Sequence, residues 1–357
     1  MSEHHSIIII GAGLSGLYCA WKLKQQQQDV VLLEARDRTG GRILSANYKN
    51  SYYDMGPAWV WPQLQPRLSQ LTTQLNLEIF KQYSSGTMLY EKNPNEIEKY
   101  NGQSSHSQSY RIKGGSYQLI ESLLSKIPAS DVHLNTCVIS IDKDNLEIHA
   151  TRDNQSLVYT ADKIILALPP RLILENIKFT PTMPDEINEA WKNIPTWMSG
   201  HCKLVFVYDK PFWRDNKFSG EVFSHYGPLS EIYDASPESE DYYALTSFVG
   251  LNSHQRKQVD KQQLIDSSMA QLQRLFGNDS KNVIDIKIKD WSLDEYTTTE
   301  IDLTSPMQHP QYPDDIPKHF WDKKLLLAGT EVAREHGGYL EGAIESADEA
   351  IINFEAE

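Results

Sequence analysis

The sequence predicts an α/β fold in which one domain is assembled from both ends of the chain and a second, α+β domain is inserted between them. The chain opens with an apolar β-branched run at residues 7–10, which a glycine-rich turn and a helical pattern follow directly. The last third returns to the same order of apolar run, glycine turn and helix. The middle contains short aromatic and β-branched runs separated by turn residues, which is typical of a mixed or antiparallel sheet flanked by helices.

The first strand is predicted at residues 7–10, because four consecutive isoleucines suit a parallel strand buried on both faces. Leu14, Leu17, Tyr18 and Trp21 recur at helical spacing and predict a helix from residue 14 to about residue 27. A second buried strand is predicted at residues 30–33. This order is a βαβ unit.

The later elements follow from the same patterns. Strands and turns are predicted at residues 86–100 and 202–249, helices at 184–193 and 261–276, and a loop at 104–109. A last strand is predicted at 325–328 and a last helix from about residue 339. We expect residues 1–80, 107–170 and 285–357 to form the first domain, and residues 81–106 and 171–284 the inserted domain.

Composition excludes several classes of function. The 357 residues are 40% apolar, and 34 basic against 48 acidic residues give a net charge of −14, which argues against a nucleic-acid partner. No apolar run could span a bilayer, and no secretion signal is recognisable, so we expect no membrane partner and a cytoplasmic location. The three cysteines are far apart and the histidines form no helical metal-binding pair, so we expect neither a disulfide framework nor a metal site.

A dinucleotide-binding motif lies directly after the first strand. Residues 11–16 read Gly-Ala-Gly-Leu-Ser-Gly, in which Gly11 permits the tight turn, Gly13 lets the backbone approach a pyrophosphate and Gly16 lets helix and strand pack closely. Glu34 ends the second strand, where its carboxylate can accept hydrogen bonds from a ribose and would repel a 2′-phosphate. The motif therefore predicts a Rossmann-like domain and disfavours NADP.

The residues beyond Glu34 resemble a known family. Residues 34–42 read Glu-Ala-Arg-Asp-Arg-Thr-Gly-Gly-Arg, and at this point the sequence resembles the flavin-containing amine oxidases, which include monoamine and polyamine oxidases. The resemblance continues at residues 54–59, 114–115, 166–170 and, most sharply, 328–343. It implies that the first domain binds FAD and that the inserted domain binds the substrate.

Motif and resemblance together predict the cofactor-binding residues. Glu331 is expected near the ribityl chain, and the helix that begins near Gly338 is expected to direct its positive end toward the flavin. The full predicted set is Gly11, Gly13, Leu14, Ser15, Gly16, Glu34, Ala35, Arg36, Gly41, Arg42, Gly56, Pro57, Ala58, Val138, Trp291, Gly329, Glu331, Gly338, Tyr339 and Ala343.

Three residues are predicted to be catalytic. Strand alternation puts Lys203 on the same face as two valines, so it lies either at an exposed edge or in a pocket. The resemblance identifies it with the lysine that hydrogen-bonds through a water to flavin N5 and assists the reaction with O2. Tyr339 matches one wall of an aromatic cage that aligns the amine, and Trp59 is a candidate for the missing wall.

The sequence departs from the monoamine oxidases at two positions. Glu300 lies where the flavin-linking cysteine would be, so we expect FAD to be noncovalent. Ile301 lies where the second cage residue would be, so that wall is absent or comes from elsewhere, with Trp59, Trp61 and Phe223 as candidates.

The predicted function is that of an FAD-dependent amine oxidase, which oxidises an amine to an imine by hydride transfer to flavin N5 and reduces O2 to H2O2. The partners would be a small-molecule amine and O2, and a homodimer is left open. An amino-acid oxidase would need Arg67, Arg171 or Arg214 to bind the substrate carboxylate. Enzymes that oxidise C–C bonds, such as desaturases, share the nucleotide motifs, and a non-catalytic flavin-binding module is a further alternative.

Overall fold

The computed structural model describes residues 2–102, 104–106, 108–304, 308–313 and 315–355. The α-helices in these ranges are α1 Leu14–Gln25, α2 Pro66–Gln74, α3 Tyr117–Leu124, α4 Pro170–Asn176, α5 Asp185–Lys192, α6 Phe212–Asp215, α7 Ser253–Arg256, α8 Lys261–Phe276 and α9 Leu340–Glu355. Short 3₁₀ turns lie at Ala129–Asp131, Asn278–Lys281, Trp291–Leu293, Glu300–Thr304 and Thr330–Val332.

The described strands form two large sheets and two short antiparallel pairs. In chain order they are β1 Glu3–Ile10, β2 Val30–Leu33, β3 Ser45–Tyr48, β4 Ser51–Asp54, β5 Ile79–Lys81, β6 Thr87–Asn93, β7 Glu96–Asn101, β8 Tyr110–Ile112, β9 Val132–His133, β10 Cys137–Asp142, β11 Glu147–Arg152, β12 Gln155–Leu166, β13 Lys178–Thr180, β14 Cys202–Tyr208, β15 Phe218–Ser224, β16 Leu229–Asp234, β17 Tyr243–Val249, β18 Asp285–Asp290, β19 His319–Phe320 and β20 Leu325–Leu327. The two short pairs are β3 with β4 and β5 with β8.

The first sheet has the order β13-β10-β11-β12-β1-β2-β9, with β20 beside the end of β12 and β19 beside β20. Its centre is parallel, because β1 pairs in parallel with both β2 and β12, and β12 pairs in parallel with β20. Side chains of β1 alternate between two cores: Ile7 and Ile9 pack with α1, α3 and α9, and Ile8 and Ile10 pack in the core on the opposite face. Burial on both faces explains the unbroken isoleucine run.

The second sheet has the order β18-β14-β17-β16-β15-β6-β7 and is mixed. Its neighbours are antiparallel except for β15 and β6, which run parallel. One face, with Leu204 and Phe206, packs against α8 residues including Leu272. The other face, with Val205 and Val207, packs against Met55 next to β4, which brings the two sheets together.

The predicted fold class is therefore confirmed: a parallel Rossmann-like sheet is combined with a separate mixed sheet. Lys178–Thr180 belongs to the first sheet, although the predicted limits assign it to the inserted domain. Asp285–Asp290 belongs to the second sheet, although the predicted limits assign it to the first domain. Those limits stay a prediction, since membership of a sheet does not by itself define a domain. Within the described ranges, none of the helices is long and apolar enough to cross a membrane.

Candidate active site

A cavity of about 630 Å³ lies between the two sheets. Its first end is lined by the turns that follow the carboxyl ends of β1, β2, β12 and β20, the usual place for a ligand in an open parallel sheet. Its other end is lined by side chains from β14, β16 and β17 of the second sheet. The volume is in the range of cofactor and small-molecule sites, roughly 300–1,000 Å³.

Most of the predicted site residues line this cavity. They are Gly11, Gly13, Leu14, Ser15, Glu34, Arg36, Gly41, Arg42, Gly56, Pro57, Ala58, Trp59, Lys203, Trp291, Gly329, Glu331, Gly338, Tyr339 and Ala343. Gly16, Ala35 and Val138 are not part of the lining. Gly16 packs under the turn, where a Cβ would lie 1.9 Å from the Gly11 carbonyl oxygen, and Val138 is buried in β10.

The glycine turn after β1 leaves open space beside its backbone. Gly11 has φ +101°, a conformation that other residues rarely adopt. A Cβ on Gly13 would meet no atom within 4 Å, so this position faces the cavity without any side chain. Helix α1 begins at Leu14, and Leu14 and Ser15 of its first turn, whose backbone N–H groups have no partner within the helix, line the same space. The turn can therefore receive an anionic group.

Glu34 fixes the turn from the end of β2. Its side chain is 4% exposed, and its two oxygens accept hydrogen bonds from the backbone N–H of Ala12 at 2.7 Å and of Arg36 at 3.0 Å. The Arg36 guanidinium continues this network by donating to Asp294 at 2.5 Å. Glu34 lines the cavity and can accept further hydrogen bonds there, because a carboxylate can accept about four.

Glu331 is a fully buried carboxylate whose oxygens lack hydrogen-bond donors in the described residues. Arg42 Nη2 lies 2.7 Å from Glu331 Oε1 and compensates its charge, but the contact lacks the angle of a hydrogen bond. The Arg42 Nη1 donates to the Trp197 carbonyl at 3.2 Å. Since buried carboxylates normally accept hydrogen bonds, this pair fits a bound group that carries N–H or O–H donors.

The N-terminus of α9 points into the cavity. Gly338 precedes it with φ +82°, and a Cβ there would lie 2.8 Å from Cβ of Trp197. Leu340 and Ala343 from the first turn of α9 line the cavity, so the positive end of a 16-residue helix faces the ligand space. Tyr339 lies between the glycine and the helix and is 40% exposed. One face of its ring stacks on His309, with ring centres 4.7 Å apart.

Lys203 is buried on an inner strand of the second sheet rather than at an edge. Its strand β14 lies between β18 and β17, and the residue is 2% exposed. Its Nζ donates a hydrogen bond to the Gly56 carbonyl at 3.0 Å and lies 5.7 Å from the centre of the Trp59 ring. Burial lowers the pKa of the lysine to about 8, although the carboxylate of Asp54 partly opposes the shift.

The far end of the cavity has an aromatic wall made of Trp59, His106, Tyr233 and Phe248. The Trp59 ring centre lies 4.4 Å from that of His106, 5.1 Å from that of Tyr233 and 6.3 Å from that of Phe248. Gln82 fixes the indole by accepting a hydrogen bond from its Nε1 at 3.0 Å. Burial lowers the pKa of His106, so its imidazole is neutral near pH 7.

Sequence reasoning missed several residues of the lining, namely His106, Trp197, His201, Glu231, Tyr233 and Phe248. His106 lies in the serine-rich stretch that predicts only a loop. Glu231, Tyr233 and Phe248 come from β16 and β17, whose inward face depends on the register of the second sheet. Trp197 and His201 lie in the irregular segment before β14, where no local pattern indicates that they face a cavity. Among the candidates for a second cage wall, Trp61 lines the cavity, whereas Phe223 contacts Tyr233 from outside the lining. Glu300 and Ile301 lie in the Glu300–Thr304 turn, outside the lining.

Comparisons with known proteins agree with this geometry. The family described as flavin containing amine oxidoreductase matches residues 14–103 and 78–350. The chain is 24% identical to a probable flavin-containing monoamine oxidase A of Dictyostelium discoideum, over 97% of this chain and 96% of that protein. It is 22% identical to human flavin-containing amine oxidase B, over 98% and 86% of the two chains.

Solved structures show the same fold. A putrescine oxidase bound to putrescine superposes with a TM-score of 0.81 at 18% identity and covers 100% of both chains. The cyclohexylamine oxidase of Brevibacterium oxydans superposes with a TM-score of 0.81 at 17% identity and covers 98% of this chain and 99% of its own.

Proposed function

The chain belongs to the family of flavin-containing amine oxidoreductases, and we propose that it is an FAD-dependent amine oxidase that converts an amine to an imine and reduces O2 to H2O2. One observation carries the proposal. A single cavity joins a dinucleotide-binding turn to a buried lysine and an aromatic wall. Such a cavity suits a dinucleotide and a small apolar substrate bound end to end.

The residues of the first sheet fit FAD. Glu34 would accept hydrogen bonds from the adenosine ribose, and the turn at Gly11 and Gly13 would receive the pyrophosphate. Glu331 would accept a hydrogen bond from a hydroxyl of the ribityl chain, which satisfies its unpartnered oxygens. When bound there, FAD supplies the electron acceptor for the amine and the donor for O2.

Noncovalent binding is part of the proposal. The chain has three cysteines, Cys19, Cys137 and Cys202, and none of them is in the cavity lining. A thioether to the flavin therefore has no thiol within the cavity. Precipitation of the protein with acid should release all of its flavin into the supernatant, whereas flavin retained in the pellet would contradict this part of the proposal.

Lys203 would supply positive charge at the reacting end of the cavity. The hydrogen bond to the Gly56 carbonyl and the packing of Trp59 and Phe248 hold its Nζ in place. A charge fixed in a dry site stabilises negative charge on oxygen far better than a charge in water does. Because its pKa is about 8, the lysine is mostly protonated at neutral pH.

Trp59 and Tyr339 would orient the substrate. Both are large flat side chains that line the cavity, and apolar surroundings favour the neutral form of an amine over the ammonium. A neutral amine has the free lone pair that the oxidation requires, so no separate general base is needed. The cavity walls thereby select both the geometry and the protonation state of the substrate.

An amino-acid substrate is less well supported. Arg67, Arg171 and Arg214, which could hold a substrate carboxylate, are absent from the cavity lining. Arg171 forms an ion pair with Asp302 at 2.5 Å, and Arg214 forms one with Asp234 at 2.7 Å. Arg67 is close to Glu341, at 3.6 Å. An amino-acid substrate would therefore need a different arginine to bind its carboxylate.

Oxygen consumption tests the proposed function. The purified holoprotein should consume O2 when a suitable aryl, alkyl or polyamine is added and should form one H2O2 for each O2. Absence of O2 consumption with the whole panel would contradict an oxidase. Loss of O2 without a matching amount of H2O2 would contradict the proposed reduction of O2.

A further inference from the structure

A carboxylate lies on the cavity wall on the same sheet face as Lys203. Glu231 in β16 is paired directly with Phe248 in β17, and Phe248 is paired directly with Lys203 in β14. Directly paired residues of antiparallel strands share a face, so the three side chains form one row across the sheet. Two strand spacings separate the backbones of Lys203 and Glu231 by about 10 Å.

An irregularity in β16 helps to turn this carboxylate toward the cavity. Leu229 pairs with Val249, and Glu231 pairs with Phe248, the neighbouring residue of β17. Ser230 is therefore an extra residue in β16, without a partner of its own in β17. A bulge of this kind redirects the neighbouring side chains. Ser230 and Glu231 accordingly both line the cavity, although consecutive residues of a regular strand would face opposite sides.

Among the described residues, Glu231 has a neutral partner but no cationic one. The Tyr233 hydroxyl donates a hydrogen bond to Glu231 Oε2 at 2.7 Å. In the part of the chain that the structure describes, no lysine, arginine or histidine forms an ion pair with this carboxylate. Its negative charge is therefore available to a ligand, at a half-buried position where such a charge interacts more strongly than on an open surface.

The surroundings of Glu231 suit an ammonium group. Tyr233 follows it two residues later on the same strand, and Phe248 lies between it and Lys203 in the row. The Trp59 ring packs on both Tyr233 and Phe248. Aromatic faces attract cations, and a carboxylate gives a charge-assisted hydrogen bond. His106 packs on Tyr233 with ring centres 4.6 Å apart, and it is neutral near pH 7, so it does not repel a cation.

We propose that the preferred substrate is an α,ω-diamine whose distal ammonium binds Glu231 while the other amine reacts near Lys203. The proposal rests on the proposed amine oxidase function, and it assigns to Glu231 the selection of the substrate class. The reacting amine is in the apolar part of the cavity and the distal one beside a carboxylate, so the two ends of one molecule take different protonation states. The net charge of −14 also favours the approach of a dication.

Binding to the dithionite-reduced holoenzyme under anaerobic conditions tests the site without turnover. Calorimetry would compare diaminobutane with butylamine and diaminohexane with hexylamine. We expect at least one diamine to bind about 10- to 100-fold more tightly than its monoamine, the worth of one charge-assisted hydrogen bond. Glu231→Gln should remove this difference, and Tyr233→Phe should reduce it.

The control is Asp241→Asn, which removes one negative charge from an exposed position after β16 and should leave the diamine preference unchanged. The inference is overturned if both diamines bind no better than the monoamines, or if Glu231→Gln keeps the preference. The flavin content of each variant shows that it is folded. If diamines bind through Glu231 but do not reduce the oxidised enzyme, the binding site stands and the proposed oxidase function fails.

Discussion

At the scale of single residues, Lys203 is the group whose role depends most directly on its surroundings. Its Nζ is buried, donates a hydrogen bond to one carbonyl and lies close to two aromatic rings. Its charge is therefore held at a fixed position instead of being solvated by water. Lys203→Met keeps the length and apolar stem but removes the charge. We expect reoxidation of the reduced flavin by O2 to slow by about 100-fold, as when one preorganised donor is removed from an active site, with FAD binding nearly unchanged.

Stopped-flow mixing of reduced enzyme with O2 measures this rate, and Lys210→Met, at an exposed position, is the matched control. The pKa of about 8 also fixes the sign of the pH dependence. The protonated lysine dominates below pH 8, so reoxidation of the native enzyme should slow as the pH rises through 8, and the variant should lack this step. Equal rates in Lys203→Met and native enzyme would remove the lysine from the mechanism.

Glu34 is expected to hold the adenosine end of FAD. Charge-assisted hydrogen bonds contribute about 1.5–3 kcal/mol each, so Glu34→Ala should raise the Kd for FAD by about 10- to 100-fold and yield largely colourless protein. The ratio of flavin to protein absorbance after dialysis gives the occupancy. Glu189→Ala, which removes an exposed carboxylate from α5, should stay yellow. Full occupancy in Glu34→Ala would show that another group makes the contact.

The sequence identifies residues whose role depends on local spacing and misses those brought together by tertiary structure. Gly11, Gly13 and Glu34 are recognisable because one strand, one turn and one helix define their positions. The aromatic wall is not, because Tyr233 and Phe248 face inward only through sheet register, and His106 comes from a loop that packs against them. The bulge at Ser230 has no signature in the sequence at all.

At the scale of secondary structure, the turn between the 3₁₀ segment Thr330–Val332 and α9 determines where the helix points. Gly338→Ala would strain a backbone at φ +82° and push a Cβ to 2.8 Å from Trp197. Gly277 has φ +88° but nothing within 4 Å, so Gly277→Ala is a control that strains the backbone and makes no close contact. We expect Gly277→Ala to cost about 1–3 kcal/mol of unfolding free energy through backbone strain, and Gly338→Ala to cost more because it adds a steric clash.

Denaturant unfolding and flavin content would both be measured for this pair. Gly338→Ala should also lose flavin, because a shift of Trp197 moves the carbonyl that Arg42 contacts. If the two variants lost the same stability and kept the same flavin content, the close approach of Gly338 to Trp197 would have no part in forming the site.

The elements predicted best are those with a strong and complete pattern. The helix observed at Lys261–Phe276 has the predicted limits, and the βαβ opening ends within a few residues of prediction. The three-residue strand Lys178–Thr180 is too short to show a period, and nothing local reveals that β6 would pair in parallel with β15. Those pairings depend on contacts between distant segments.

At the scale of the whole molecule, the cavity lies between the two sheets, so a bound dinucleotide should stabilise both. A ligand at 100 times its Kd adds about 2.7 kcal/mol to the unfolding free energy. We expect FAD to raise the Tm of the apoprotein by several degrees, and NADP not to raise it, since its 2′-phosphate would face Glu34. A thermal scan with FAD, NAD and NADP at equal concentrations measures this, and an equal shift with NAD would contradict a flavin site.

The central claim is that the protein oxidises an amine in this cavity, and anaerobic reduction of the bound flavin tests that claim most directly. The yellow holoprotein would be mixed, without O2, with aryl amines, alkyl amines, diamines and amino acids while the absorbance of oxidised flavin is followed. We predict rapid bleaching by at least one class of amine, with diamines the most effective. No bleaching by any of these compounds, in protein whose flavin dithionite still reduces, would contradict the proposed function.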